Sequence, residues 1–451
     1  MELTPLHALF SCPRADGHPV CHDGKRFVTW REFSVQVVTQ ERYLKTRSES
    51  RWLLTSSDPQ DFAVKLFALL HADKEVVIPP NTQPGTLAQL ASTYDAVADM
   101  ASPSSLTAPA LLPPLDPDKS LIDLYTSGST GEPKRIRKTL AQFGLEVEAQ
   151  EALWGDDLGD AVVVATVPHH HIYGLLFRLF WPLAAGRRFD AVTCAHPDTL
   201  GERLARFGDT VLVSSPAQLS RLPELVPLDS LAPAPRIIFS SGGPLPATAA
   251  AEFDRQLGQA PVEVFGSTET GGIAWRRQTD DDVWTPLPGI AVDREADGAL
   301  SLRSPFLLGD DNPWRMDDAV ELLTGGRFRL RGRLDRVVKI EEKRLSLPEM
   351  EARLAAHPWV ASAAAVALAG RRQSIGAAVV LTPEGRQQLA MQGPRDTAQR
   401  LRQHLAEHFE AVLLPRRWRF PNQQPINERG KLTHAALAAL FTATDDDPVA
   451  A

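Results

Sequence analysis

Four short apolar runs, each emptying directly into a polar or glycine-rich loop, constrain this chain more than any other feature. They are AVVVATV before Pro168, TVLVSS before Pro216, RIIFSS before Gly242 and VEVF before Gly266. Runs of this length without polar alternation read as strands buried on both faces, and the helical patterns between them supply the covering layers of an α/β fold. In such sheets the loops after the strands build the ligand crevice. Upstream, RWLLTS (51–56) and KEVVIPP (74–80) alternate with helical patterns, and the proline-rich PALLPPLDPD (109–118) reads as a connector.

The texture changes near residue 320. ELLTGGRFRLRGRLDRVVKI is charged and partly alternating, as in half-exposed antiparallel strands. The pattern then predicts a helix over 347–357, strands at AAAVAL and GAAVVL, and a second helix over 397–409. The expected organisation is a large N-terminal α/β domain with buried sheets, residues 1–332, and a small α+β domain, residues 333–451, divided between Gly332 and Asp335. The tail TDDDPVAA is expected to be disordered.

Bulk properties exclude several function classes. The 451 residues carry 48 basic and 56 acidic side chains, a net charge of −8. Nucleic acid is therefore not the expected partner, because phosphate-backbone binding needs a basic face. The three cysteines, Cys12, Cys21 and Cys194, form no CxxC pair, and no His/Cys cluster has zinc spacing. A reducing, cytoplasmic setting follows. MELTPLHALFSCP lacks the basic start and long apolar run of a signal peptide, and no apolar stretch is long enough for a membrane span.

The strongest local signal is LYTSGSTGEPKR, residues 124–135. Thr126, Ser127, Ser129 and Thr130 bring hydroxyls, Gly128 and Gly131 let several backbone N–H groups converge, and Lys134 adds positive charge. A loop of this kind wraps a polyphosphate with donors. It is not a GxxxxGK[ST] loop, and Gly430-Lys431 is followed by Leu432, so a P-loop kinase or GTPase is disfavoured.

These residues, with further motifs in order, resemble the adenylate-forming superfamily of acyl- and aryl-CoA synthetases, peptide-synthetase adenylation domains and luciferases. The resemblance extends from residue 124 to residue 431 and includes Thr126–Lys134, PHHHIYG with His171, Ser241-Gly242-Gly243, Phe265-Gly266-Ser267-Thr268-Glu269, Asp318, Gly332-Arg333-Leu334-Asp335 and Gly430-Lys431. It implies ATP and Mg²⁺ as cofactors, with Glu269 as the metal ligand and Glu269, Thr268 and Lys431 as catalytic positions. It implies a wall for adenine at Gly242 and Gly243, and a stacking face at Phe265 beside Gly266, whose other reading is simple core packing. Asp318 with Arg333 would hold the ribose, although Met316-Asp317 stands where the family has Thr-Gly and leaves Asp317 as the alternative ligand. His171, Gly243 and Gly271 fall in the acid pocket. The run His169-His170-His171 could also suggest metal, but adjacent residues point to different sides, with no carboxylate or Cys beside them. By the same resemblance the small domain is mobile and turns about Asp335 between two half-reactions.

The implied chemistry is activation of a small carboxylic acid as its acyl-adenylate, then transfer to a thiol. CoA ligases of the family often read Lys-x-x-Gly after the hinge; this chain reads Lys339-Ile340-Glu341-Glu342, which adds bulk and negative charge. The basic run Pro415–Arg419 would suit docking of an acidic carrier protein, or it is a solvated patch. KIEEKRLSLPEME is similar to the aryl acid–acyl carrier protein ligases of xanthomonadin and aryl-polyene pigment clusters. The expected substrate is 3- or 4-hydroxybenzoate and the expected acceptor an acyl carrier protein. The alternatives are a ligase using free CoA and a degenerate AMP-binding regulator; the presence of Glu269, Asp318, Arg333 and Lys431 argues against the last.

Overall fold

The computed structural model describes residues 3–99, 111–127, 133–309, 312–340, 343–368, 374–425, 432 and 434–441. By contacts the chain divides into two units. One comprises 1–292, 302–314 and 323–328, the other 293–301, 315–322 and 329–451. The fold is α/β, with a large N-terminal part built on two sheets and a smaller C-terminal part.

In the first unit a nine-stranded sheet runs in the spatial order Thr285–Pro286, Gly271–Arg276, Val262–Ser267, Ile238–Ser241, Thr210–Ser214, Val162–Ala165, Phe189–Thr193, Pro19–His22, Phe27–Thr29. Its centre is parallel, and antiparallel pairs occur only toward the edges. The four apolar runs read from the sequence are its central strands. Val162–Ala165 and Thr210–Ser214 are buried at every position, as parallel strands covered on both faces must be. A five-stranded sheet has the order Ala96–Val97, Arg51–Leu53, Glu75–Ile78, Leu121–Ser127, Pro133–Thr139, and only its last pair is antiparallel. That pair places Thr126 opposite Lys134 and Ser127 opposite Pro133, so the phosphate-loop motif caps a hairpin whose tip, residues 128–132, lies outside the described residues.

The helices begin where local chemistry dictates. Thr29 and Glu32 form a reciprocal cap on Trp30–Lys45, as Thr139 and Gln142 do on Leu140–Leu158. Asp58 caps Pro59–His71, which is buried along most of its length. The main core packs these helices against both sheets through Phe33, Phe62, Phe67, Phe143, Phe180 and Phe239.

The second unit contains most of a four-stranded sheet, Ala291–Arg294, Ala299–Arg303, Trp314–Leu322 and Phe328–Arg333. It continues through a two-stranded hairpin, Val337–Ile340 with Lys343–Ser346. A three-stranded sheet follows, with Ser374–Leu381 central between Val360–Leu368 and Arg417–Arg419. Met350, Leu354, Leu401, Leu405 and Trp418 form its core. The helix expected over 397–409 is longer and starts earlier, spanning Pro383–Ala406 with a break at Gly393 (φ +82°) before Pro394. Thr382 caps it and Pro383 occupies its first position, a start signal that the internal Gly-Pro obscured. The tail from residue 442 lies outside the described residues.

Candidate active site

Within the first unit, two elements distant in sequence meet. Lys134, on the strand leaving the phosphate loop, places Nζ 2.8 Å from Glu269 Oε1, across 135 positions of sequence. Glu269 sits at the turn joining Val262–Ser267 to Gly271–Arg276. Partial burial works against ionisation of this carboxyl, but the Lys134 ammonium more than compensates and holds it below the usual carboxylate range. The turn is braced from within. Ser267 N–H donates to Thr270 Oγ1, and Thr270 N–H donates to Ser267 Oγ. Lys138 Nζ donates to the carbonyls of Glu269 (2.7 Å) and Phe306 (2.8 Å). Thr268 lies half-buried on this turn beside Glu269.

Glycine is required where the turn closes. A Cβ at Gly266 would lie 2.2 Å from Gly271 O, and one at Gly271, whose φ is +71°, would lie 2.4 Å from Glu146 Oε2. Glu146, on Leu140–Leu158, is buried and accepts a hydrogen bond from Gly272 N–H at 2.7 Å. Burial pushes its carboxyl up to about 7, against the opposing effects of that N–H and Lys138.

Phe265 is half-buried; it is tilted against Trp284 (centroids 5.5 Å) and edge-on to Phe328 (6.3 Å). Both readings of this ring therefore have a basis, since it packs against two aromatic rings and keeps part of its surface open. Gly242 (φ +95°) and Gly243 are exposed; a Cβ at Gly242 would meet nothing within 4 Å, and one at Gly243 would meet Pro216 Cγ at 4.0 Å.

The histidine loop follows Val162–Ala165. His169 is buried, its Nε2 2.9 Å from Ser56 O and its ring against Phe62, and burial lowers it to about 3. His171 immediately precedes the helix that begins at Ile172, and is half-exposed. Among the described residues no group of three His, Cys, Asp or Glu side chains is arranged to hold a metal ion. Glu269 alone fits an ion such as Mg²⁺, which is usually held by one or two carboxylates and substrate phosphates rather than by an all-protein cage.

In the second unit, Asp318 and Arg333 occupy neighbouring strands, with Arg333 Nη1 3.5 Å from Asp318 Oδ2. Asp317 points to the opposite face, exposed, with Arg315 at 3.2 Å and Arg333 at 3.8 Å. Burial of Asp318 and exposure of Asp317 follow from strand alternation. Asp335 lies in the short helical turn Leu334–Arg336. Next to it, Arg336 is anchored to Glu351 and to Ala365 O. Gly128, Ser129, Thr130, Gly131, Gly430 and Lys431 lie outside the described residues, as do Glu341 and Glu342. Two arginines of the run 415–419 are used internally, Arg417 by Phe441 O and Arg419 by Leu440 O, and Trp418 is core; Arg416 is exposed.

The model of AMP-binding enzymes matches residues 39–295, and that of the AMP-binding enzyme C-terminal domain matches 349–431. The chain belongs to the AMP-binding enzyme family. It is 31% identical over 320 residues to a 4-coumarate–CoA ligase of Cereibacter sphaeroides, covering 70% of each chain. It is 28% identical over 386 residues to an acetyl-coenzyme A synthetase of Rubrobacter xylanophilus, covering 74% of this chain but only 58% of that one. Among solved structures, ATP-bound MatB from Rhodopseudomonas palustris superposes with a TM-score of 0.80 at 18% identity over 98% of this chain and 99% of that one. A benzoate CoA ligase from Burkholderia xenovorans LB400 gives 0.76 at 20% over 97% and 100%. The AMP-binding enzyme fold thus extends over nearly the whole chain, and the relatives named here are a CoA ligase and a coenzyme A synthetase.

Sequence reasoning missed two supports of this site, Lys138 and Glu146. Gln142, Glu146 and Gln150 are all buried and recur every four residues on one helix. Their four-residue spacing puts them on one face, but that spacing alone does not tell a buried polar ridge from an exposed one.

Proposed function

We propose that this AMP-binding enzyme activates an aromatic acid, 3- or 4-hydroxybenzoate, as its acyl-adenylate and passes the acyl group to the phosphopantetheine thiol of an acyl carrier protein. The observation that carries the reading is the Lys134–Glu269 pair, which brings the phosphate-loop hairpin to the acidic turn. A substrate carboxylate oxygen attacks the α-phosphorus of ATP, the bond to pyrophosphate breaks, and a mixed anhydride with AMP remains. The thiol then attacks the acyl carbon and AMP leaves. Mg²⁺ on Glu269 would neutralise charge on the phosphates.

The chain's own groups mainly position the reactants and offset charge. Thr126 and Ser127, with residues 128–131 of the same motif, would serve the β- and γ-phosphates, and Lys134 would supply positive charge there. Phe265 stacks on adenine between Gly242-Gly243 and Gly266. Asp318, rather than Asp317, accepts from the ribose hydroxyls, because a buried carboxylate already oriented by Arg333 is fixed for that task. By the resemblance, Lys431 would serve the reacting carboxylate and α-phosphate, His171 and Gly271 would border the acid, and Thr268 would contact the reacting groups. The small domain, residues 333–451, turns about Asp335 to exchange Lys431 for the thiol. The setting is cytoplasmic; no described helix is long and apolar enough to cross a membrane.

Free CoA is the second reading, favoured by the names of the relatives and by the internal use of Arg417 and Arg419. Acid-dependent pyrophosphate release is the test, with benzoates and fatty acids as substrates and holo-carrier protein or CoA as acceptor. Release with a hydroxybenzoate, raised by carrier protein and not by CoA, is the expected result. Acceleration by CoA alone would replace the acceptor, and strong preference for fatty acids would overturn the acid.

A further inference from the structure

The helix Leu140–Leu158 lies along the strand Gly271–Arg276, and both ends of that alignment are fixed by contacts. Glu146 takes the N–H of Gly272, and two turns later the Trp154 ring meets the Trp275 ring at 6.0 Å. Gln150 stands midway on the same helical face, about 6 Å along the axis from each.

Around Trp154 the structure gathers an aromatic wall. Phe239 lies 5.1 Å from Trp154 and 5.0 Å from Phe177, and Tyr173 lies 4.9 Å from Phe177. Tyr173 and Phe177 follow His171 on the same helix, and Trp275 follows Gly271 on the same strand, so the wall continues from two residues of the acid pocket.

Besides the Tyr173 hydroxyl, two polar groups on this wall are left without a hydrogen-bond partner. Gln150 is almost wholly buried, yet neither its Oε1 nor its Nε2 has a hydrogen-bond partner. The indole Nε1 of Trp275 is likewise buried and unpartnered. A native core pairs such groups, and their persistence calls for an account. The nearby carboxyl of Glu146 is occupied by Gly272 N–H and does not provide one.

We infer that Gln150, with Trp275 Nε1, recognises a neutral hydroxyl on the ring of the acid substrate. Gln150 offers an acceptor and two donors, and the indole offers a donor only. A phenolic hydroxyl is the matching group: it donates to Gln150 Oε1 and accepts from Trp275 Nε1. The aromatic wall takes the flat ring. A second carboxylate on the ring would sit beside the buried carboxyl of Glu146, so hydroxylated monoacids are selected over diacids. A site that hydrogen-bonds a substrate hydroxyl discriminates strongly against the analogue lacking it, because its own polar groups are then left unpaired.

This inference rests on the ligase reading, and the experiment separates the two. Acid-dependent pyrophosphate release is measured for wild type, Gln150→Leu and Trp275→Phe with 3-hydroxybenzoate, 4-hydroxybenzoate and benzoate. Wild type is expected to favour one hydroxybenzoate over benzoate. Gln150→Leu is expected to lower kcat/KM for that acid by about tenfold to a hundredfold, mostly through KM, and to leave benzoate unchanged or improved. Trp275→Phe keeps the ring and loses the N–H, so it narrows the same ratio by a smaller factor and carries the test if Gln150→Leu does not fold. An equal loss for all three acids, or a ratio unchanged in both variants, would overturn the inference while leaving the ligase standing. No release by wild type with any acid would overturn the ligase reading and this one with it.

Discussion

At the scale of single residues, burial and charge set the behaviour of the site. Glu146 titrates near 7 in the folded chain against an unfolded value of 4.5. The folded state therefore holds this proton more tightly, and stability falls as pH rises from 4.5 through 7. The full penalty, about 3 kcal/mol, is present above that window. Glu146→Gln keeps an acceptor for Gly272 N–H and removes the titration. Its melting temperature should exceed that of wild type by several degrees at pH 8 and match it at pH 5; equal differences at both pH values would assign the effect to packing. Lys134 and Glu269 make a second residue-level case. Lys134→Ala and Glu269→Gln should each lower acid-dependent pyrophosphate release by about 10²–10³, the usual loss for a charge-stabilising group. Losses under fivefold would remove this pair from the chemistry.

At the scale of elements, the helix Pro59–His71 depends on two histidines kept neutral. Burial, aided by Lys45, lowers His71 to about 4. Burial, aided by Arg178, lowers His169, whose ring lies against Phe62 of this helix, to about 3. Both folded values lie below the unfolded 6.5, so the unfolded chain binds more protons below that pH. Stability should fall as pH drops from 6.5 toward 4. Amide-exchange protection of residues 59–71 should decline between pH 7 and pH 5 in wild type, and decline less in His169→Phe. The central strands of the large sheet were legible because their burial is written as uninterrupted apolar residues. The contact between Lys134 and Glu269 was not, because motif order says which residues act and nothing of which ones touch. Glu146 and Gln150 were passed over because one polar residue in each helical turn reads as an ordinary helix. Only the strand lying on that face shows that the ridge is buried.

At the scale of the whole molecule, the family models match residues 39–295 and 349–431, the fold agrees over nearly the full chain, and the proposed hinge makes the sharpest prediction. Asp335→Pro would fix φ near −65° and remove a backbone donor in the turn Leu334–Arg336. Pyrophosphate release should survive within a few-fold, and thioester formation from preformed acyl-adenylate should fall by at least tenfold. Lys431→Ala should show the reverse split. Equal losses in both half-reactions would remove Asp335 from any hinge role. The order of the motifs was legible throughout. The break at Gly393 was not, because a Gly-Pro step inside one helix looks the same in sequence as the end of another.

The contact between Lys134 and Glu269 also carries a thermodynamic consequence. On the proposed reading the cation meant for phosphate and the anion meant for metal neutralise each other in the empty enzyme. Metal arriving alone must displace an ammonium, and nucleotide arriving alone must displace a carboxylate. When both arrive, each releases the partner that the other needs. Binding of the two is therefore positively linked, and by reciprocity the same factor by which nucleotide tightens metal is the factor by which metal tightens nucleotide.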